Sequence, residues 1–313
     1  MILIVSFADN EHVRRVTEHL TRPYRLVDIA WFPSKMSLTA EAGQDRLALG
    51  LTPSDDFPID LDEVGAVWYR RLRPMTIDDT ITDPVGRLFA WSESNEALQG
   101  LWYSLDCFWM NPPLADEAAQ RKVLQLKVAR EVGLSIPETC ITNDPTEARS
   151  FVERADGVKV IRKAFRNIPQ APRPTATVEM ADLARIDAVR FAPVIFQHFV
   201  AADLDLRTTV IDGEMFTAAI RSDAAHQVDY RAGLGTASVA PYSLPDDVAD
   251  RLRQLMDRLG LKFGAVDFRV TPEGEHVFLE VNPAGEYLFA CDRTGQPVPE
   301  AIADCLDRRD RER

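Results

Sequence analysis

Apolar and polar positions change period several times along this chain, and each change predicts an element. Met1–Phe7 is a short unbroken apolar run, the mark of a buried strand, and 9–21 then reads as a helix. Arg25–Trp31 reads as a second strand, whereas 33–63, with Pro33, Pro53, Pro58 and several acids, reads as irregular. Gly65–Tyr69 is an apolar strand that ends in Arg70-Arg71-Leu72-Arg73-Pro74. Helical periodicity over 83–106 stops at Trp109-Met110-Asn111-Pro112-Pro113. Residues 116–133 predict one amphipathic helix, with Leu124, Val128 and Val132 four apart and Gly133 as its C-cap. Ile136–Thr142 and Val158–Lys163 read as strands around a helix opened by Asp144 as N-cap and Pro145 at N1. The segment 164–180, with Pro169, Pro172 and Pro174, reads as a loop, and a helix follows near 181–190. The remainder predicts strands at 194–200, 205–211, 214–220, 262–270 and 276–282, interrupted by a helix at 246–259.

This alternation predicts an α/β chain of three lobes: 1–112, 113–195 and 196–313. A length of 313 residues suits that division. The net charge of −13 argues against general nucleic-acid binding, which relies on Lys and Arg to neutralise phosphates. Cys107, Cys140, Cys291 and Cys305 show no CxxC spacing, so neither a zinc site nor a disulfide framework is expected. The start lacks a basic leader and a cleavage site, and no apolar run is long enough to span a bilayer. A cytoplasmic protein with no membrane or nucleic-acid partner is the expectation.

Chemistry concentrates in the hairpin Phe263–Val270 and His276–Pro283. Side chains alternate faces along a strand, so Glu280 and Asn282 share a face. With Glu273-Gly274 as a two-residue turn, Thr271 pairs with His276 and Asp267 lies opposite Glu280. Val266, Phe268, Leu279 and Val281 then face the core. Two carboxylates and an amide oxygen gathered this way suit Mg²⁺ shared with substrate phosphates. Opposed like charges on a sheet also call for compensation, which a metal would supply.

Two further features flank that hairpin. The strand through Gln197, His198, Phe199 and Val200 passes into a linker whose backbone can meet an adenine edge, with Asp203 placed for ribose hydroxyls. Beyond it, Asp205 and Arg207 share a strand face. Of 36 basic residues only six are Lys, and two of these, Lys122 and Lys163, sit at element ends. Lys there, with Arg207, Arg221 and Arg231, could neutralise charge in phosphoryl transfer. A lone cation is ordinarily a surface charge; several around an acidic face point to function. His198 reads as structural, and Arg70-Arg71 fits a solvated turn or a strand end in a cleft equally well.

The ordered set of motifs resembles the ATP-grasp superfamily and, within it, the graspetide (microviridin-type) peptide ligases. The resemblance rests on Val67-Trp68-Tyr69-Arg70-Arg71, Asn111-Pro112, Arg121–Leu126 and Gly133–Thr139. It continues through Phe196–Val200, Asp205-Leu206-Arg207, Asp229-Tyr230-Arg231, Gly264–Asp267 and Leu279–Gly285. It implies an ATP-grasp fold behind a Rossmann-like lobe, with Lys122 and Lys163 on the nucleotide, Gln197–Val200 as adenine linker, and Asp267, Glu280 and Asn282 on magnesium. Arg207 and Arg231 match cations near the γ-phosphate and the acyl phosphate. The resemblance also implies a homodimer that joins Asp or Glu side chains of a ribosomal precursor peptide, leader plus core, to Ser, Thr or Lys. Two positions depart from the pattern: His198 stands where an acid is common, and Glu286 where a Gln is often seen.

The expectation is therefore an ATP- and Mg²⁺-dependent carboxylate ligase working through an acyl phosphate. A ligase for a free small carboxylate would share the ATP site, and a non-catalytic nucleotide- or peptide-binding module would bind ATP without turnover.

Overall fold

A computed structural model describes residues 1–45, 47–165, 173–223, 228 and 230–312. The expected loop residues Pro169 and Pro172, and Asp229 of the Asp-Tyr-Arg motif, lie outside the described residues.

The chain opens with β1 (Ile2–Val5), α1 (Glu11–Thr17) and β2 (Tyr24–Val27). A side sheet of β3 (Met36–Ala42), β4 (Leu47–Pro53) and β5 (Ile59–Asp60) follows. Then β6 (Ala66–Tyr69), α2 (Pro84–Tyr103) and β7 (Phe108–Met110) complete a parallel sheet ordered β2-β1-β6-β7. Both faces of β1 are covered, which explains its continuous apolar run. Ile2 and Ile4 pack toward α1, while Leu3 and Val5 pack toward Trp102 of α2 and Leu51 of β4. The expectation of irregular chain over 33–63 was wrong: β3 and β4 pair along seven residues. Most of β3 is exposed, so it lacks the alternation that betrays a strand.

The single helix expected over 116–133 is two, α3 (Pro113–Ala119) and α4 (Lys122–Glu131). The Ala119 carbonyl accepts from the buried Gln125 side chain, which interrupts the helical ladder there. Gln125 also bonds both the N–H and the C=O of Val281, tying α4 to the metal-type strand.

An antiparallel sheet, β10-β9-β11-β8, comes next. Its members are β8 (Thr139–Thr142), β9 (Val160–Lys163), β10 (Ala176–Thr177) and β11 (Val194–His198). Between them run α5 (Pro145–Arg154), capped by Asp144 as the sequence indicates, and α6 (Met180–Leu183). Because β11 pairs with β8 from Val194 to Gln197, a division at 195/196 falls inside a strand.

The last sheet, β14-β13-β12-β15-β16, is antiparallel too. It contains β12 (Leu204–Ile211), β13 (Glu214–Arg221), β14 (Ser238–Tyr242), β15 (Phe263–Val270) and β16 (His276–Asn282). Covering it, α7 (Asp246–Leu259) buries Leu252, Leu255 and Leu259 and stops at Gly260, whose φ of 70° is the left-handed cap. After α8 (Leu288–Thr294), α9 (Val298–Arg311) returns to the first sheet and places Ile302 and Leu306 against Ile2 and Trp68. This closing helix went unread, although Val298, Ile302 and Leu306 recur every four residues.

The hairpin register is half as expected. Asp267 does lie opposite Glu280, but Val270, not Thr271, pairs with His276. The turn spans three residues, closed by the Gly274 N–H on the Thr271 carbonyl, with Gly274 at φ 87°. One extra residue, Leu279, then bulges between Phe278 and Glu280 and restores the expected pairing. The bulge also turns Leu279 out of the core, and Phe278 fills the space beside Phe268.

Candidate functional site

The two antiparallel sheets enclose a cavity of about 640 Å³. Lys122, Lys163, Gln197, His198, Val200, Arg231, Asp267, Glu280 and Asn282 all reach its wall. They come from α4, β9, β11 and the linker after it, β15, β16 and the segment after β13, and only the folded sheets bring them together.

Across β12, β15 and β16 the charges form a row. Arg207 pairs with Asp267 and Asp267 with Glu280, so a cation, a carboxylate and a second carboxylate stand side by side. The Arg207 guanidinium donates to Asp267 at 2.8 Å. On the far side, Lys122 Nζ donates to Glu280 at 2.6 Å, and Arg231 lies 3.6 Å from its other oxygen. Protein cations on both flanks therefore balance the two carboxylates, so the like-charge pairing does not by itself demand a metal. Burial alone would raise the Glu280 carboxyl; Lys122, Arg231 and Lys163 outweigh it and hold the group well below the usual carboxylate range.

Two residues along the same strands the same logic recurs. Asp205 faces Arg269 across β12 and β15, with a 2.9 Å ion pair. Asp-x-Arg on β12 (Asp205, Arg207) runs antiparallel to Asp-x-Arg on β15 (Asp267, Arg269), so each Asp meets an Arg. The Asp205–Arg269 pair was missed in the sequence, although the two repeated triplets carried the signal. Arg173, which the sequence did not single out, and the bulged Leu279, which it assigned to the core, also line the cavity.

Lys163 points into the seam and donates to Gln197 at 2.7 Å, and Gln197 donates onward to Thr139 at 2.8 Å. Burial lowers the Lys163 pKa, with Glu280 opposing the shift. A partly desolvated ammonium held by one neutral acceptor is suited to take up a phosphate.

Three expected nucleotide residues are not on this wall. The Phe199 ring lies between Lys159 and Arg269, at 5.2 and 4.9 Å, and its N–H is bonded to the Lys159 carbonyl. Asp203 and Arg221 line a separate polar cavity of about 170 Å³. The linker offers fewer backbone groups than its sequence suggested, because the Val200 carbonyl already accepts from Arg269 at 2.7 Å. His198 packs against Phe151 with ring centroids 5.1 Å apart and planes tilted by 38°, and it also lines the cavity.

Asp267, Glu280 and Asn282 present hard oxygen donors from adjacent strands to one cavity wall, the donor chemistry Mg²⁺ takes. The Asn282 Oδ1 accepts from the Ala284 N–H at 3.0 Å and keeps a second lone pair. Among the described residues no group of three or more His, Cys, Asp or Glu is placed to hold a metal ion. No described helix is long and apolar enough to cross a membrane.

Two antiparallel sheets closing on a cation-lined cavity, behind a parallel lobe, define the ATP-grasp fold. Residues 1–117 match the MvdD pre-ATP grasp domain. The chain belongs to the ATP-grasp ligases of the MdnB and MdnC macrocyclase type. It is 33% identical to macrocyclase MdnB of Microcystis aeruginosa MRC, covering 97% of this chain and 98% of that one, with a TM-score of 0.82. Identity to MdnC of the same organism, solved with precursor peptide MdnA, is 31% over 97% and 98%, with a TM-score of 0.87. A Chryseobacterium gregarium RiPP-associated ATP-grasp ligase, solved with ADP and a leader and core peptide, is 26% identical over 97% and 95%, TM-score 0.88. Among curated relatives, the carbamoyl phosphate synthase large chain of Pseudomonas aeruginosa is 26% identical over 55% of this chain. The probable alpha-L-glutamate ligase of Shewanella halifaxensis is 24% identical over 68%. The matches span only 17% and 47% of those two proteins.

Proposed function

We propose that this chain is an ATP- and Mg²⁺-dependent ligase that activates Asp or Glu side chains of a ribosomally made precursor peptide and joins them to hydroxyl or amine side chains. The observation that carries the reading is the cavity wall itself: two carboxylates and an amide oxygen beside Lys122, Lys163 and Arg231. Mg²⁺ held by Asp267, Glu280 and Asn282 would screen the phosphate oxygens. Lys163 and Lys122 then bind phosphates from opposite sides of the seam, and Gln197 keeps Lys163 aimed. Gln197, His198 and Val200 border the base, while Asp203 and Arg221 serve from the neighbouring cavity. Arg207 and Arg231 stabilise charge as the substrate carboxylate oxygen attacks the γ-phosphorus and ADP leaves. A hydroxyl or amine next attacks the acyl carbon, expelling phosphate and releasing its proton.

Residues 1–112 form the leading lobe in this reading, with β11 kept whole in the middle one. The protein is a cytoplasmic homodimer that binds leader and core. The likenesses to MdnC and to the Chryseobacterium ligase, both solved with peptides, support the peptide substrate. The glutamate ligase likeness favours a second reading, a free small carboxylate.

The test is mass spectrometry of a candidate precursor peptide incubated with protein, ATP and Mg²⁺. Successive ATP-dependent losses of water are expected. An unchanged peptide, with ADP released only when free amino acids are supplied, would move the assignment to the second reading.

A further inference from the structure

Immediately after Asn282, four consecutive backbone carbonyls each accept a hydrogen bond from a different side chain. Asn111 Nδ2 donates to Pro283 at 3.2 Å, Arg71 Nε to Ala284 at 3.3 Å and Arg70 Nη2 to Gly285 at 2.9 Å. Arg207 donates to the Glu286 carbonyl at 2.9 and 3.1 Å. Three of the four donors stand at the C-terminal ends of β6 and β7 in the parallel lobe.

The sequence needs such support at this point. Pro283 has no N–H and cannot extend the β16 ladder. The chain turns instead, with the Gly285 N–H on the Asn282 carbonyl at 3.1 Å and the Ala284 N–H on its side chain. Contact with β15 is so close that a Cβ at Gly285 would lie 2.3 Å from that of Ala265. Asn282 is the last residue of its strand, and its orientation depends on the segment that follows.

Stability explains Arg71 in part, through its 2.5 Å ion pair with Glu286, and Arg70 poorly. Arg70 is 2% exposed, and its Nε and Nη1 have no hydrogen-bond partner among the described residues. Leaving buried donors unmet is costly, even with the Phe263 and Tyr287 ring centroids each 5.2 Å from the guanidinium. Arg71 has a φ of 53°, an unfavourable region for a side chain of this size. Both costs fall at the residues that grip the loop.

We propose that Arg70 and Arg71 are positioning residues through which the leading lobe holds the 283–286 segment and so fixes Asn282 on the metal face. The inference rests on the ligase reading above. It makes the parallel lobe part of the catalytic unit without giving it contact with the reacting atoms.

The experiment is a thermal-shift titration of Mg²⁺ at saturating ADP, run alongside a titration of ADP without metal. Arg71 is exposed enough for Arg71→Ala to fold. Its Mg²⁺ midpoint should rise by about tenfold, the usual scale for residues behind metal ligands, with the metal-free ADP midpoint unchanged. Arg70→Met should behave alike, and Arg70→Lys, which keeps one donor, should recover part of the shift. A folded Arg71→Ala protein with the wild-type Mg²⁺ midpoint overturns the proposal. So does a higher KM for the peptide with unmoved Mg²⁺ dependence, which would make these arginines substrate contacts. If wild-type melting ignores Mg²⁺ in the presence of ADP, the ligase reading fails first, before any variant is compared.

Discussion

Glu280 and Glu286 stand six residues apart, and both are held far below an ordinary carboxyl, yet they occupy opposite kinds of place. Glu280 looks into the cavity between two sheets, with Lys122, Arg231 and Lys163 around it. Glu286 sits at the seam with the leading lobe, where His12 and Arg71 bind its two oxygens. The His12 hydrogen bond is the largest cause of its depressed pKa of about 2, ahead of the Arg71 and Arg70 charges. A carboxylate ringed by cations is therefore no sufficient sign of a catalytic site. Glu280 is set apart by what adjoins it: a second carboxylate, an amide oxygen and open space of nucleotide size. Glu286 has only donors that satisfy it.

The sharpest way to break this contrast is Glu280→Gln. The amide keeps the shape but removes the charge that Lys122 holds and that the proposed metal would share, so ADP release should fall by at least about 100-fold. The melting temperature should change little, because Lys122 and Arg231 can still reach water. Normal turnover by a folded Glu280→Gln protein would remove Glu280 from the metal site. Lys163→Met comes next in size. Losing a buried cation that faces the phosphates in the proposed reading should cost about 10- to 100-fold in kcat/KM for ATP. The Mg²⁺ midpoint should stay put, because Lys163 holds no metal. A Mg²⁺ shift as large as the kcat/KM loss would mean that the cation and metal sites are not separable.

These two residues also mark how far the sequence could be read. Asp267, Glu280 and Asn282 were legible because strand alternation and one pairing suffice to juxtapose them. The pairing held despite a wrong turn, since the Leu279 bulge absorbed the error of one residue. Bulges leave no period, so Leu279 was misassigned to the core. Lys122 was placed only at a helix start; what aims it at Glu280 is Gln125, one turn on, buried against Val281. The Asp205–Arg269 pair needed the β12–β15 register that its repeated triplets only hinted at, whereas the Arg70–Gly285 contact stayed hidden because nothing in a single strand announces a partner from another sheet. The linker failed differently. Its side chains were read correctly as a strand end, but the Phe199 N–H and the Val200 carbonyl had partners only the tertiary fold reveals.

The smallest expected effect belongs to Glu286, and it appears in stability rather than turnover. Its carboxyl drops from about 4.5 to about 2 on folding, so the folded state favours the charged form. The stabilisation is fully present above pH 4.5 and is lost as pH falls toward 2. The whole shift corresponds to about 3 kcal/mol. The side chain is 45% exposed, and screening reduces the expectation to about 1 kcal/mol. Gln at this position keeps one acceptor oxygen, for Arg71 or for His12, and cannot ionise. In urea unfolding, Glu286→Gln should therefore be less stable than wild type by about 1 kcal/mol at pH 7, with the gap closing as pH approaches 2. A gap of equal size at both ends would mean that shape rather than charge holds this seam, and the comparison between the two glutamates would then rest on geometry alone.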